Sequence, residues 1–156
     1  MHRLLFMMLA LSFCSSCSEV TSKPDTLIQG GFDEKEMDAA VARARREVDS
    51  FIAELSHPTG EDHAVKVPIA DGEAVEHFWL VDVTYQNGEF SGRINNEPGM
   101  VSNVQMGDRR QVAKAEMSDW LFMRDGKMHG NYTLRPLLKT MPEKDVKIYE
   151  AMLADP

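Results

Sequence analysis

The chain has 156 residues, 17 basic and 25 acidic, giving a net charge of −8 at pH 7, and 43% of it is hydrophobic. That length supports one domain with a real core. The acidic balance disfavours nucleic acid and anionic lipid head groups as partners; a solvated acidic surface, or a basic protein partner, suits it better.

The chain opens with Met1-His2-Arg3 and an apolar run from Leu4 to Phe13. Arg3 supplies the positive charge of an export signal. A run of about ten apolar residues fits the signal's hydrophobic stretch and is too short for a ~30 Å bilayer core. Ser15 and Ser16 then supply small residues before Cys17. The order predicts a signal peptide over residues 1–16 and lipid attachment at Cys17. Cys14 departs from the usual pattern, which has a branched aliphatic residue there, and bulky Phe13 argues against Cys14 as the modified residue. Ordinary secretion and a retained anchor are the alternatives.

Cleavage before Cys17 removes Cys14, so no disulfide is expected. The acyl chains would hold the protein on a membrane at about 0.8 kcal/mol per buried CH₂. Ser18, rather than Asp, next to the cysteine resembles the sorting pattern for the periplasmic face of a Gram-negative outer membrane. Losing 16 of 156 residues leaves 140, and 16 basic against 25 acidic residues bring the charge to −9.

Residues 17–32 read as a lipidated tether, polar beyond the cysteine and containing Pro24 and Gly30-Gly31. A single domain then covers residues 33–156. Asp33 and Glu36 have capping-box spacing. Met37, Val41, Ala44, Val48, Phe51 or Ile52, and Leu55 form one helical stripe, with Arg43, Arg45, Arg46 and Asp49 mainly off it. The helix should end near Ser56, before Pro58 and Gly60. Its stripe is expected to pack on the domain's own sheet; a partner helix is the alternative.

From Ala64 the period changes to two. Val65, Val67 and Ile69 alternate, and Pro68 suggests an edge strand. After the Asp71-Gly72 turn, Val75, Trp79, Val81, Val83 and Tyr85 line one face of a long strand, which places Trp79 in the core. Asn87-Gly88 signals a hairpin, and Phe90, Gly92 and Ile94 continue on the return strand. Asn95 to Gly99 form a loop. Short strands are expected at Met100–Val104 and Arg109–Ala113. Another apolar run covers Met117–Met123, and Lys127–His129 pairs back across Asp125-Gly126.

Thr133 can cap a short helix through Leu138, with Pro136 in its first turn. Thr140 and Glu143 make a second capping box before a final helix that runs to Leu153. The fold class is therefore α+β. An N-terminal amphipathic helix packs on a small antiparallel β-sheet of five to six strands, followed by short C-terminal helices.

Several short motifs occur in order along this domain: Glu76-His77-Phe78-Trp79, Gly92-Arg93-Ile94-Asn95-Asn96-Glu97-Pro98, Gly107-Asp108, Ser118-Asp119-Trp120, and Gly130-Asn131-Tyr132-Thr133-Leu134-Arg135. Together they resemble the YegJ-like family of bacterial proteins, a domain of unknown function, over about residues 60–140. The resemblance implies a small α+β domain, sometimes behind an export signal. It transfers no activity and no catalytic residues.

The candidate binding or polar cluster consists of Glu76, His77, Trp79, Asn95, Glu97, Asp119, Trp120, Thr133 and Arg135. His77 has the chemistry of a general base if a carboxylate orients it. No nucleophile completes a triad, and no G-x-S-x-G elbow is present. A buried Trp120 needs a partner for its indole N–H, either Asp119 or a carbonyl. Asn95 to Pro98 make either a plain hairpin connection or a recognition loop. Arg135 is expected to pair with Glu97 or Asp119 and fix the C-terminal helix to the sheet. The five histidines have no HxH or HExxH spacing and no CxxC exists, so neither a metal nor a cofactor is expected.

These features point to an exported lipoprotein with a small non-enzymatic binding domain in the bacterial envelope. Its membrane contact would run through the lipid on Cys17. An immunity-type protein that neutralises a toxin is one alternative. An envelope hydrolase using His77, Asp119 and Arg135 is the other.

Overall fold

The computed structural model describes residues 31–155. The signal segment, Cys14, Cys17 and the tether through Gly30 lie outside the described residues. Helix α1 runs over Glu34–Ser56, and the Asp33 carboxylate accepts the Glu36 N–H at 3.0 Å. The Glu36 side chain does not return to complete a capping box; it takes the Lys139 ammonium at 2.6 Å. Ala44, Val48 and Phe51 are buried, so the apolar stripe of α1 packs on the domain's own sheet.

The sheet has six antiparallel strands: β1 Glu61–Asp71, β2 Ala74–Gln86, β3 Glu89–Ile94, β4 Arg109–Ala113, β5 Asp119–Arg124 and β6 Lys127–Gly130. Their order is β4-β3-β2-β1-β5-β6. Short helices α2, Leu134–Leu138, and α3, Glu143–Met152, complete the chain. The α+β architecture expected from the sequence is the one observed.

Three expectations about the strands change. First, β1 is central, not an edge. Its pairing with β5 stops at Lys66, while its pairing with β2 continues to Asp71. Pro68 therefore lies where one flank of β1 is locally open, and its missing N–H costs no ladder bond there. Second, residues 100–104 form no strand. They belong to a long loop that drops Val101 and Val104 into the core.

Third, Trp79 is not in the core. Phe78 and Leu80 are fully buried against α1, which turns Trp79 and Val81 to the opposite face. A bulge between Val81 and Thr84 adds one residue, with Asp82 at φ 53°. Beyond it Val83 and Tyr85 return to the core side. A one-residue shift inverts the faces of a strand, so a period counted across the bulge mixes the two.

Rings of α1 and β5 form a stacked ladder in the core. Phe51 lies 5.4 Å from Trp120, and Phe122 stacks on His129 at 4.9 Å. Gly130, at φ 76°, lets β6 approach closely, since a Cβ there would lie 2.3 Å from the Trp120 carbonyl oxygen. The Thr133 hydroxyl does not cap α2, and Pro142, not Thr140, stands at the start of α3. Leu153 forms a parallel bridge with Met128, and the Ala154 N–H donates to the Met128 carbonyl at 2.9 Å.

Candidate functional site

With α1 on one side, the alternate residues of β1 and β2 face away from the helix and keep some exposure. Register brings them together. Lys66 lies opposite Trp79 on β2 and opposite Asp119 on β5, and Pro68 lies opposite His77. The Lys66 ammonium sits 4.6 Å from the Trp79 ring centroid and donates to the Thr133 hydroxyl at 2.8 Å. That hydroxyl in turn donates to Asp119 at 2.7 Å.

Asp119 is fully buried beneath this surface. Besides Thr133, it accepts the backbone N–H groups of Trp120 at 2.9 Å, Tyr132 at 3.2 Å and Thr133 at 2.7 Å. Its acceptor capacity is filled by the fold. It is a structural brace between β5 and the turn into α2, and it does not orient His77.

The partner of His77 is Ser118, which the sequence reading missed. His77 Nδ1 lies 2.9 Å from the Ser118 hydroxyl, and that hydroxyl lies 3.3 Å from the Lys66 carbonyl. The hydroxyl has one proton, and the carbonyl can only accept. Both contacts are hydrogen bonds when His77 carries its proton on Nδ1, leaving a lone pair on Nε2. Loss of hydration around the ring, and then the Lys66 ammonium, hold the His77 pKa below 6.5. The ring is thus neutral at neutral pH. Ser118 gives its proton to a carbonyl in this arrangement, so the pair is not an activated nucleophile.

Next to this polar group a cavity of about 610 Å³ opens along Ala64, Trp79, Val81 and Leu121. Asp62, His63, Asp82 and Asn95 also line it, and Leu55 of α1, Pro58 and Val83 carry its wall round to the helix side. The loop after β3 pins strand β2 here: Asn96 accepts the Trp79 N–H at 3.0 Å, and the Asn95 N–H donates to the Trp79 carbonyl at 3.0 Å. Trp79 is held by its backbone while its indole keeps partial exposure.

The other sequence candidates lie elsewhere. Glu76 is buried on the α1 side, where its carboxylate accepts the N–H groups of Gly99, Met100 and Val101. Trp120 is in the core and donates its indole N–H to the Ala44 carbonyl at 2.9 Å. Glu97 is exposed on the loop. Arg135 pairs with neither Glu97 nor Asp119. Its guanidinium donates to the carbonyls of Gly130, Asn131 and Ala154, which ties the C-terminal segment down. His77, Asp119 and Arg135 therefore do not converge on one pocket.

Arg135 borders a separate cleft of about 330 Å³ with Glu47, Glu54, Arg124, His129 and Tyr132. The Tyr132 hydroxyl donates to Glu47, and Arg43 and Arg135 lie over its ring at 4.6 and 5.3 Å. Burial and then the Glu47 contact push the Tyr132 pKa up to about 12. Glu54 is nearly covered. Burial alone would raise its pKa, but the N–H groups of Gly60 and Thr59, then His63, bring it from 4.5 to about 2. A depressed carboxylate stabilises the fold fully above its unfolded pKa, and this contribution is lost as pH falls through the folded one. Stability should therefore decline between pH 4.5 and about 2. Urea denaturation across this range should show a shallower decline for Glu54→Gln; an unchanged slope would exclude Glu54 as its source.

Among the described residues, no group of three His, Cys, Asp or Glu side chains is placed to hold a metal, and no helix is long and apolar enough to cross a membrane.

The architecture defines a class of domain: a six-stranded antiparallel sheet with one long helix on one face and an aromatic-centred polar surface on the other. The chain belongs to the bacterial family described as "Uncharacterized protein conserved in bacteria (DUF2314)", which it matches over residues 34–154. The match thus includes α1 as well as the motif-bearing segment. The chain is 42% identical over 154 residues to "Uncharacterized protein YegJ" of Escherichia coli K12, covering 98% of this chain and 99% of that protein. It is also 34% identical over 91 residues to a putative ankyrin repeat protein of Neisseria meningitidis serogroup B, covering 56% of this chain and 36% of that one. No solved structure matches.

Proposed function

We propose that this protein is an exported lipoprotein of the bacterial envelope whose domain binds a protein partner without catalysis, through the sheet face centred on Trp79. The observation that carries the reading is the position of Trp79. A large aromatic ring on the uncovered side of a sheet, beside a cavity and pinned through its backbone, is suited to recognition. The sequence order of Arg3, the Leu4 to Phe13 run and Cys17 supports export and lipid attachment. Partial similarity to a putative ankyrin repeat protein supports a domain that serves as a module. The −8 charge favours a basic partner, and a toxin neutralised by this protein is one partner of that kind.

The test is a crosslinked affinity pull-down from native envelopes. The full-length protein should retain one stoichiometric partner and fractionate with membranes, and Cys17→Ser should move it to the soluble fraction. Trp79→Ala should reduce partner recovery at least tenfold while Tm shifts by only a few degrees. Undiminished recovery with Trp79→Ala would remove this face from the interaction. Turnover of an envelope polymer that disappears in His77→Ala would replace binding with catalysis.

A further inference from the structure

Resting on that binding reading, we infer that the cavity beside Trp79 receives one arginine or lysine side chain from an apolar-flanked segment of the protein partner. The chemistry of the cavity's lining selects such a group. Ala64, Val81 and Leu121 supply apolar wall, Trp79 supplies an aromatic one, and Asp62 and Asp82 supply negative charge; His63, also in the lining, is engaged by Glu54 at 3.2 Å. A basic side chain has the matching division: an aliphatic stem that packs on apolar surface and a charged head that seeks carboxylate. An acidic ligand would meet two carboxylates. A purely apolar one would cover Asp62 with no cation beside it.

The two aspartates lie on neighbouring strands. Val65 pairs with Leu80, and from that point β1 and β2 run on to bulges that contain Asp62 and Asp82. Arg93 offsets one of them, at 2.8 Å from Asp82, but both members of that pair are well exposed. Exposed pairs contribute little and exchange readily. Asp62 has no ion pair among the described residues. A cation brought by a partner would therefore meet carboxylates that the domain leaves partly uncompensated. The indole already accommodates a cation, the Lys66 ammonium at 4.6 Å, and arginine stacks on such rings.

The experiment uses the full-length protein in detergent micelles, ¹⁵N-labelled at its tryptophan indoles. The probes are acetylated, amidated Leu-Arg-Leu, Leu-Lys-Leu and Leu-Glu-Leu tripeptides. The Trp79 indole signal should shift saturably with the two basic peptides and at least tenfold more weakly with the acidic one. The Trp120 indole, bonded to Ala44 inside the core, serves as an unmoved reference. The double variant Asp62→Asn, Asp82→Asn should lose the preference with an unchanged spectrum elsewhere. Equal response to basic and acidic peptides, or no saturable response, would overturn the inference. A shift that depends on protein concentration without peptide would assign the cavity to a second copy and overturn it too. If Trp79-dependent partner recovery persists after such a failure, the binding reading stands and only the cationic occupant falls.

Discussion

Asp119→Ala should destabilise the domain by about 4 kcal/mol or more, against the 5–15 kcal/mol that typically holds a domain together. The carboxylate is fully buried and accepts from three backbone N–H groups and one hydroxyl. Alanine would leave the N–H groups of Trp120, Tyr132 and Thr133 without acceptors where water has little access. Each such orphan costs about 1–3 kcal/mol. Asp119→Asn keeps the shape but turns one acceptor into a donor facing donors, so its loss should be intermediate. Urea denaturation followed by far-UV circular dichroism measures both. A loss below about 1 kcal/mol for the alanine variant would mean that the turn re-forms its bonds elsewhere.

Glu76→Ala is expected to act locally first. Its carboxylate gathers the N–H groups of Gly99, Met100 and Val101. That grip holds the loop that inserts Val101 and Val104 into the core. Removing it should lower stability by about 3 kcal/mol, since orphaned donors and loosened apolar contacts act together. Native-state hydrogen exchange should show residues 99–104 losing protection before the central strands do. Uniform loss of protection across β1 and β2 would show that the loop is not a separate opening unit.

Much of this architecture is legible in the residues, for identifiable reasons. Helix α1 combines a cap at Asp33, an unbroken stripe and a stop near Pro58, so its span Glu34–Ser56 follows from local signals. The β2–β3 hairpin follows from Asn87-Gly88, both at positive φ. The faces of β2 do not follow, because the bulge at Asp82 is a tertiary accommodation without a distinct signature. The surface around Trp79 was legible only in part. Trp79, His77 and Thr133 stand out as residue types, but Lys66 and Ser118 join them through strand register and a turn 41 residues from His77. Glu76 and Asp119 look like active-site carboxylates in the chain because nothing local reveals their real partners. Those are backbone amides 23 to 25 residues away for Glu76, and for Asp119 include amides 13 and 14 residues away.

The tail that runs beside β6 has a consequence for how copies of this protein meet. Strand β6 is a sheet edge, and an open edge is a template onto which another chain can add a strand. Leu153 and the Ala154 N–H occupy part of that edge, and Arg135 grips the Ala154 carbonyl at 3.2 Å. The opposite edge, β4, is instead guarded by Arg109 and Arg110, whose like charges discourage a second copy from pairing there. One rim of the sheet is shielded by its own polypeptide and the other by repulsion. Loosening the tail would therefore expose the molecule to strand exchange at β6 and not at β4.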